Sequence, residues 1–416
     1  MYDPYSEFTK HVLPNNLEVH SLFWDRPWIG VEIVVHSGSR EDPLVLPGLA
    51  HFVEHVISYN IPNREHNQSV DFFEAYGCPA GFGSTNYLST RFRFCVPADL
   101  PTFRKALAIF GSMLLEARIE KSVERERDVI FQEFRERYPF IERLKWDMGM
   151  RRALFAGHRL ETWNRPLGRP EGFLTATKAD LQTFYDKHYV PANISLITIG
   201  GLSTKETITE LKKSPFGIQK DGLRNPIPEP FNSIPAPTEH AMHARLSDFV
   251  SFKIDQTEYK ATWAFPADFP GQARRVFNNV LDKILYSEIR EKRGFAYSIC
   301  NTYVCFQDVY EYEISGRIIT DATRHIHDLI QKCISMVALR RDLFEKELES
   351  CRKMCQMTDL SGLGLARNSA SDLVSDHRII PIQEAWDELH GVTFEHLTSA
   401  ATFLSAEQQY TFILSP

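Results

Sequence analysis

Long apolar segments are missing from this chain of 416 residues. No run reaches the roughly eighteen apolar residues that a membrane-spanning helix requires, so we expect no membrane span. The first residues, MYDPYSEFTK, do not combine a basic start with an apolar core, so they lack the pattern of a signal peptide. The sequence therefore gives no reason to expect a membrane as a partner.

An excess of positive charge is also missing. Lys and Arg number 47 against 54 Asp and Glu, and the formal net charge of −7 excludes the basic footprint with which proteins bind nucleic acids. The seven cysteines are an odd number and show no paired zinc-ribbon spacing. We therefore expect free thiols, a cytoplasmic location and no nucleic-acid partner.

The composition is otherwise that of an ordinary globular protein, with 43% hydrophobic and 24% charged residues, and the length suggests two or three domains. A Pro-rich segment at 225–240, NPIPEPFNSIPAPTEH, interrupts the chain. Prolines at this density continue neither a helix nor a central strand. We interpret 219–242 as a linker between one domain at 1–218 and a second at 243–416.

The two halves repeat the same patterns in the same order. In each half an apolar strand precedes a helix, and a second amphipathic helix follows later. Near its end, each half has a Thr that begins a helix, Thr177 or Thr393, and an apolar strand follows at the same distance. The matched segments are 28–38 with 258–266, 99–114 with 321–337, and 177–201 with 393–416.

Repeats of this length indicate a duplicated unit of mixed strands and helices. We predict an α+β fold made of two homologous α/β sandwich domains. Each would have a mainly antiparallel sheet with helices packed on one face, and the Pro-rich linker would join them.

The segment PGLAHFVEHVIS at 47–58 places His51, Glu54 and His55 in the pattern H-x-x-E-H. On a helix His51 and His55 lie one turn apart on one face, where both could bind one metal ion, while Glu54 could act on a water beside it. A helix with a few polar residues is the alternative explanation of so short a motif. The helix at the matching place in the second half lacks the motif, which favours chemistry over packing.

A third ligand is available on the charged segment VERERDVIFQEFRER at 123–137. Glu126 and Glu133 are seven residues apart, two helical turns, so they lie nearly on one face. Glu133 could complete the ligand set and Glu126 could stand behind it, although the neighbouring Glu124 could take that second place. Either glutamate alone would be an ordinary solvated charge.

Together these residues resemble the pitrilysin family of metallopeptidases, which includes insulin-degrading enzyme and the mitochondrial processing peptidase. That family combines H-x-x-E-H with a later helix that carries two glutamates seven apart. The segment REKRGFAYS at 290–298 also resembles the family, with Arg290 and Tyr297 in the places of its Arg/Tyr pair. The segments RPLGRPEG and HYVPANISLITIGG are similar to family landmarks, so the likeness spans nearly the whole chain.

The resemblance implies a zinc-dependent endopeptidase that hydrolyses unfolded peptides or oligopeptides inside a closed chamber. One Zn²⁺ per chain would be held by His51, His55 and Glu133, and zinc-bound water would attack the peptide carbonyl with Glu54 as general base. Glu126 would support the site. Arg290 and Tyr297 would bind the substrate from the half without zinc.

Four such domains enclose the chamber in the family, so the resemblance implies a homodimer, with a heterodimer with a related chain as the alternative. Many members carry an Asn-Ala pair after the first helix, whereas this sequence has Gly81 and Phe82 there. A strand at 89–96, interpreted as an edge strand, could still pair with a peptide. The competing functions are an inactive or partner-dependent subunit, and a processing peptidase for one dedicated precursor.

Overall fold

A computed structural model describes residues 3–77, 83–138, 141–161, 165–226, 237, 240–245, 256–266, 268–306, 309–356 and 362–415. Most of the Pro-rich segment and the pair Gly81 and Phe82 lie outside the described residues. The domain boundaries at 218 and 243 therefore stay a prediction, as does the effect of the Gly-Phe pair.

The first half of the described chain forms a six-stranded sheet, in which only β2 and β6 pair in parallel. Its strand order is β1-β2-β6-β3-β5-β4. The strands are β1 (Thr9–Val12), β2 (Glu18–Phe23), β3 (Trp28–Val35), β4 (Gly83–Thr85), β5 (Thr90–Pro97) and β6 (Ile194–Gly200).

The second half forms a five-stranded sheet of order β7-β11-β8-β10-β9, again with one parallel pair, β7 and β11. Its strands are β7 (Ala241–Arg245), β8 (Gln256–Pro266), β9 (Ala296–Cys305), β10 (Val309–Ile319) and β11 (Gln409–Ser415). Read in chain order, β2 to β6 and β7 to β11 have the same neighbours and directions. The predicted mixed fold with a duplicated, mainly antiparallel sheet is confirmed.

Fourteen α-helices occur among the described residues, and the predicted helices are found within a few residues of their expected bounds. The helix expected at 273–292 ends earlier, and a π-helical segment, Tyr286–Glu291, continues it. The first half contains α1 (Leu49–Ile57), α2 (His66–Glu74), α3 (Leu100–Leu115), α4 (Val123–Arg137), α5 (Ile141–Leu154), α6 (Pro170–Phe173), α7 (Lys178–His188) and α8 (Thr204–Lys213). The second contains α9 (Gly271–Leu285), α10 (Thr323–Met336), α11 (Arg341–Gln356), α12 (Gly362–Ser375), α13 (Ile382–Gly391) and α14 (Phe394–Phe403).

Alternation along the strands separates two apolar cores. On β3, Val31 and Ile33 belong to the core shared with α1 and α3, while Val34 faces the opposite side of the sheet and joins the core of the second half. This is the period-two pattern of a strand buried on both faces.

One helix of each half packs against the sheet of the other half. α12 packs against β3 and β6 of the first sheet, and α5 packs against β11, β7 and β8 of the second. Met150 and Leu154 of α5 are buried with Phe412 of β11 in a third apolar cluster. α5 follows α4 as α12 follows α11, so the exchange is reciprocal and joins the two halves.

The strand expected at an edge is not at one. β5 lies between β3 and β4, because the short strand β4 returns along it and pairs Gly83 with Phe92. The prediction of an edge strand at 89–96 is therefore wrong, and β4 is the outer strand of the described sheet. A three-residue strand has too little sequence to show a period.

In the part of the chain that the structure describes, every helix is too short or too polar to cross a bilayer.

Candidate metal centre

The helix α1, which carries the H-x-x-E-H motif, is fixed at its first turn. The Asp42 carboxylate accepts hydrogen bonds from the backbone N–H of Gly48 at 2.7 Å and of Ala50 at 2.8 Å. Gly48 has a positive φ of 96°, and a Cβ there would come within 2.9 Å of the Leu167 carbonyl oxygen. The same Cβ would come within 3.0 Å of Cα of Gly168, so the RPLGRPEG segment packs closely against the start of α1.

Three side chains from α1 and α4 converge on one point. Nε2 of His51 lies 3.2 Å from Nε2 of His55. The same two nitrogens lie 3.7 Å and 3.8 Å from Oε2 of Glu133. Among the described residues this is the only group of three or more potential ligands, with ligand atoms within 4.8 Å of one another.

The donor set fits zinc. Two imidazole nitrogens and one carboxylate oxygen are the ligands that a catalytic zinc site uses, with one position left open. The arrangement has the spacing to close around one ion, because each pair of donor atoms is a few ångströms apart. The ligand roles of His51, His55 and Glu133 stay a prediction that a metal measurement tests.

Glu126 contacts His55 at the ring nitrogen that does not face the ligand cluster. Its Oε2 lies 3.1 Å from Nδ1 of His55, and its Oε1 accepts from Nε and Nη2 of Arg125 at 3.1 Å and 3.0 Å. Glu124 instead accepts from Arg127 at 3.0 Å, so of the two glutamates it is Glu126 that touches the histidine.

These contacts also set the proton affinities. Burial alone would raise the pKa of Glu126, but the hydrogen bonds from His55 and Arg125 outweigh it and hold the pKa below its ordinary value. Burial lowers the pKa of His51 to about 3, with the neighbouring His55 adding to the effect. His51 is therefore a neutral imidazole, the form that binds a metal.

Glu54 contacts the strand β4 and is not one of the three clustered ligands. The Thr85 hydroxyl donates to its Oε2 at 2.6 Å. A Cβ at Gly83 would come within 2.6 Å of its Oε1. Burial raises the pKa of Glu54, and the Thr85 hydrogen bond offsets part of that rise. A raised pKa makes this carboxylate a stronger base, which suits it to accepting a proton beside the site.

A cavity of about 440 Å³ opens beside the cluster, with His51, Thr85 and Glu133 in its wall. Tyr138 and Arg165 line this cavity and also a second one, of about 430 Å³, whose wall includes β8 and β10 of the other half. We call these the metal cavity and the inter-half cavity. The space beside the cluster therefore reaches residues of both halves.

A buried ionic group holds the halves together at that place. Arg165 donates to Asp147 at 2.7 Å and lies 3.5 Å from Glu311 of β10, and Arg151 donates to Glu311 at 3.3 Å. Asp147, Arg151 and Glu311 are each at most 5% exposed. Burial would raise the pKa of Asp147, but the charges of Arg165 and Arg151 outweigh it and lower the pKa.

Arg290 and Tyr297 come together in the second half. Arg290 lies in the π-helical segment, and its guanidinium carbon is 4.7 Å from the Tyr297 ring centroid. Tyr297 is 77% exposed near the start of β9. Neither residue is among the described residues that line the metal cavity. Their role in substrate binding stays a prediction.

Several residues at the site were given no role by the sequence analysis: Gly83, Thr85, Arg125, Tyr138 and Arg165. The first two reach Glu54 only because β4 pairs with β5. Arg125 carries a weak signal, since it directly precedes Glu126 on the predicted helix.

Two family models match the chain. Residues 27–139 match the insulinase family of M16 peptidases, and residues 175–354 match the M16 peptidase inactive domain. The first match contains the H-x-x-E-H helix and Glu133. The second begins in the first half and covers four of the five strands of the second half, β7 to β10, together with α9, α10 and nearly all of α11.

Curated relatives include two bacterial proteins named as zinc proteases. The chain is 28% identical to the probable zinc protease PqqL of Escherichia coli over 190 residues, 44% of this chain and 20% of that protein. It is 21% identical to the uncharacterized zinc protease YmxG of Bacillus subtilis over 420 residues, 97% of this chain and 95% of that one. The matched part thus spans about a fifth of the first relative and nearly all of the second.

Among solved structures, a protease from Helicobacter pylori superposes with a TM-score of 0.81 at 18% identity, and the match covers 100% of both chains. At this identity the likeness concerns the fold alone.

Proposed function

Because the chain belongs to the M16 peptidase family, we propose that it is a zinc-dependent endopeptidase that hydrolyses unfolded peptides or oligopeptides inside a closed chamber. The observation that carries the proposal is the convergence of His51 Nε2, His55 Nε2 and Glu133 Oε2 beside the buried carboxylate of Glu54. The family models and the relatives named as zinc proteases support the coarser assignment to a peptidase family.

One zinc ion per chain, held by His51, His55 and Glu133, would supply Lewis acidity that polarises a peptide carbonyl and acidifies water. Glu54 takes the proton from the attacking water at its carboxylate and returns it to the leaving amine nitrogen. Its hydrogen bond from the Thr85 hydroxyl holds the carboxylate in place.

Glu126 and Arg125 hold the proposed ligand His55 in place. The Glu126 carboxylate accepts a hydrogen bond from Nδ1 of His55, which fixes the tautomer whose Nε2 faces the ligand cluster. Arg125 holds Glu126 through two nitrogens. The metal cavity and the inter-half cavity would bind the peptide, and the outer strand β4 offers main-chain groups for pairing with it.

A homodimer accounts for the place of the Arg/Tyr pair. Tyr297 is largely exposed and lies outside the wall of the metal cavity. We infer that Arg290 and Tyr297 of one chain bind the substrate at the metal centre of a second chain. The same observation favours one alternative, a subunit that needs a different partner chain. A peptidase with one dedicated precursor would use the same site.

The compartment is proposed as the cytoplasm, on the cysteine content of the sequence. The related PqqL is described as a periplasmic protease, so fractionation of the native host should decide this point.

The function is tested by zinc content and by cleavage of a mixed peptide library. Wild type, Glu54→Gln and Glu133→Gln are compared, with Asp128→Asn as control because Asp128 is an exposed acid on the same helix α4. We expect about one zinc per chain in all but Glu133→Gln, and cleavage only by wild type and Asp128→Asn. A wild type without zinc would contradict the ligand set.

A wild type that holds zinc but cuts nothing would point to the partner-dependent subunit.

Mixing Glu54→Gln chains with Tyr297→Phe chains tests the dimer. If the pair acts across the dimer, the mixture should cut faster than either variant alone. No gain on mixing, in subunits shown to exchange, would exclude the arrangement.

A further inference from the structure

A third cavity, of about 290 Å³, adjoins the metal cavity and shares Tyr138 and Arg165 with it. Four arginines line it, Arg151, Arg152, Arg165 and Arg169, against two carboxylates, Asp147 and Glu161. We call it the arginine cavity. Nothing in the metal chemistry described above uses it.

The arginines fall into two groups. Arg151 and Arg165 are committed to the buried ionic group with Asp147 and Glu311. Arg152 and Arg169 have no carboxylate partner within ion-pair distance among the described residues. The wall therefore offers two guanidinium groups, the exposed Arg152 and the half-buried Arg169, that form no ion pair within the described part of the chain.

Arg169 shows in addition a donor without an acceptor. Its Nε is buried and has no hydrogen-bond partner within the described part of the chain, as is true of Nε and Nη1 of Arg151. Arg151 stacks on the rings of Tyr87 and Phe306, which shields its donors. Arg169 has no such ring contact among the described residues, so its N–H is the donor that lacks an explanation.

The inter-half cavity has a different balance of charge. Its wall contains four glutamates, Glu136, Glu258, Glu311 and Glu313, against the three cations Arg137, Arg165 and Lys260. Two adjoining spaces of unlike charge can distinguish the side chains of a bound peptide, because each favours its own partner charge.

We propose that the arginine cavity is a subsite for a carboxylate of the peptide substrate, bound by Arg152 and Arg169. A planar guanidinium donates two parallel N–H hydrogen bonds to a carboxylate, which is why arginine suits this ligand. Leu44, Leu144 and Met148 in the same wall would contact the methylene groups that carry the carboxylate. The carboxylate comes either from an Asp or Glu side chain or from the C-terminus of the peptide.

This inference deepens the proposed function, and it is tested with matched peptides. One peptide that the enzyme cuts is prepared with Glu or Gln at each position in turn, with a free or amidated C-terminus. We expect one position, or the free terminus, to raise kcat/KM by about tenfold over its neutral counterpart, since a charge-assisted hydrogen bond is worth that much. A preference for Glu over Gln at one position identifies a side chain, and a preference for the free over the amidated peptide identifies the terminus.

The enzyme is varied in parallel as Arg152→Gln and Arg169→Gln. Each should reduce the carboxylate preference in kcat/KM, Glu over Gln or free over amidated terminus, several-fold, mainly through KM. Arg118→Gln is the control, since Arg118 is an exposed arginine in the wall of a different surface cavity. It should keep the wild-type ratio. Because Arg169 stands at the start of α6, circular dichroism and zinc content check that its variant folds.

Binding separates this proposal from the proposed function. Anisotropy of labelled Glu and Gln peptides on the Glu54→Gln protein reports the carboxylate preference without cleavage. If nothing is cut by the wild type but the preference in binding is present and is lost in Arg152→Gln, the subsite stands and the peptidase assignment fails. Equal values for Glu and Gln peptides together with equal values for free and amidated peptides would overturn the subsite. So would a carboxylate preference that is unchanged in both arginine variants.

Discussion

The hydroxyl of Thr85 donates to Oε2 of Glu54 across 2.6 Å, from the outer strand β4 to the helix α1. It fixes the side chain that we propose as the general base, on an element far from the H-x-x-E-H motif in sequence. The contact predicts that proton transfer depends on β4 as well as on α1.

Replacing Thr85 with Val should therefore slow the reaction while leaving the ligands in place. A hydrogen bond to a charged group contributes about 1.5–3 kcal/mol, which corresponds to a loss of roughly tenfold or more in kcat. Thr85→Ser keeps the hydroxyl and should stay near wild type. The measurement is kcat on a fluorogenic peptide together with zinc content. Equal rates for the Val and Ser variants would show that Glu54 does not need this contact.

Gly83 makes a second contact with the same carboxylate. A Cβ at position 83 would come within 2.6 Å of Oε1 and 2.8 Å of Cγ of Glu54, so Gly83→Ala should push the carboxylate aside. We expect kcat to fall about tenfold or more, because a shift of about 1 Å at a reacting group is costly, while zinc content is unchanged. Gly391→Ala is the control, since a Cβ there meets nothing within 4 Å. An active Gly83→Ala enzyme would exclude this position for the base.

Arg125 should affect the metal without touching it. It holds Glu126, which holds His55, and it lies 4.3 Å from the ring centroid of Tyr59. Removal of a residue that orients a ligand typically costs 10- to 100-fold in metal affinity, so we expect Arg125→Ala to weaken zinc binding about tenfold. Competition with a chromogenic chelator measures this.

The variant Arg125→Lys should bind zinc more tightly than Arg125→Ala but less tightly than wild type, because lysine keeps the positive charge but lacks the planar, forked guanidinium. Arg135→Ala is a matched control, since Arg135 is exposed on the same helix. Should Arg125→Ala and Arg135→Ala bind zinc equally, Glu126 would not depend on Arg125.

The sequence predicted the parts of the site that lie on two helices. His51, Glu54 and His55 share one helix and Glu126 and Glu133 share another, so helical spacing alone places each group on one face. The duplicated sheet was predictable for a similar reason, because each strand and helix has its own local period. The family resemblance joined the two helices, which spacing could not do.

What the sequence did not reveal comes from contacts between distant elements. Thr85 and Gly83 meet Glu54 through a three-residue strand, which is too short to show alternation. Arg151 and Glu311 are separated by 160 residues and meet only because α5 crosses to the other sheet. The short strand β4 also covers β5, so the place of β5 inside the sheet does not show in its own sequence.

The contact between Arg151 and Glu311 should be important for stability. Glu311→Gln leaves the buried Arg151 without its charge partner, and breaking a buried pair in this way costs about 3–5 kcal/mol. Glu313→Gln is a control on the same strand, since its partner Lys260 lies 3.5 Å away and is partly exposed. Urea unfolding followed by tryptophan fluorescence gives both changes. Similar decreases in the free energy of unfolding for the two variants would contradict the proposed importance of the buried pair between Glu311 and Arg151.

Acid should weaken the fold through Glu18. This carboxylate contacts His20 at 2.6 Å, Lys10 at 2.8 Å and Arg224 at 3.4 Å. Burial alone would raise its pKa, but the hydrogen bonds with His20 and Lys10 and the charge of Arg224 outweigh burial and lower the pKa from 4.5 to about 2. A folded pKa below the unfolded one means that the ionised group stabilises the fold above pH 4.5. This stabilisation is lost as the pH falls towards 2.

The comparison of wild type with Glu18→Gln isolates this effect, because other titrating groups are common to both. Both proteins are kept metal-free with a chelator, so that loss of zinc does not contribute. The difference in unfolding free energy should be constant between pH 6 and pH 7 and shrink between pH 4.5 and pH 3, the upper part of the window set by the two pKa values. A difference that stays constant down to pH 3 would mean that Glu18 has an ordinary pKa in the folded protein. The contacts with Lys10, His20 and Arg224 would then contribute little to holding β1, β2 and the segment before the linker together.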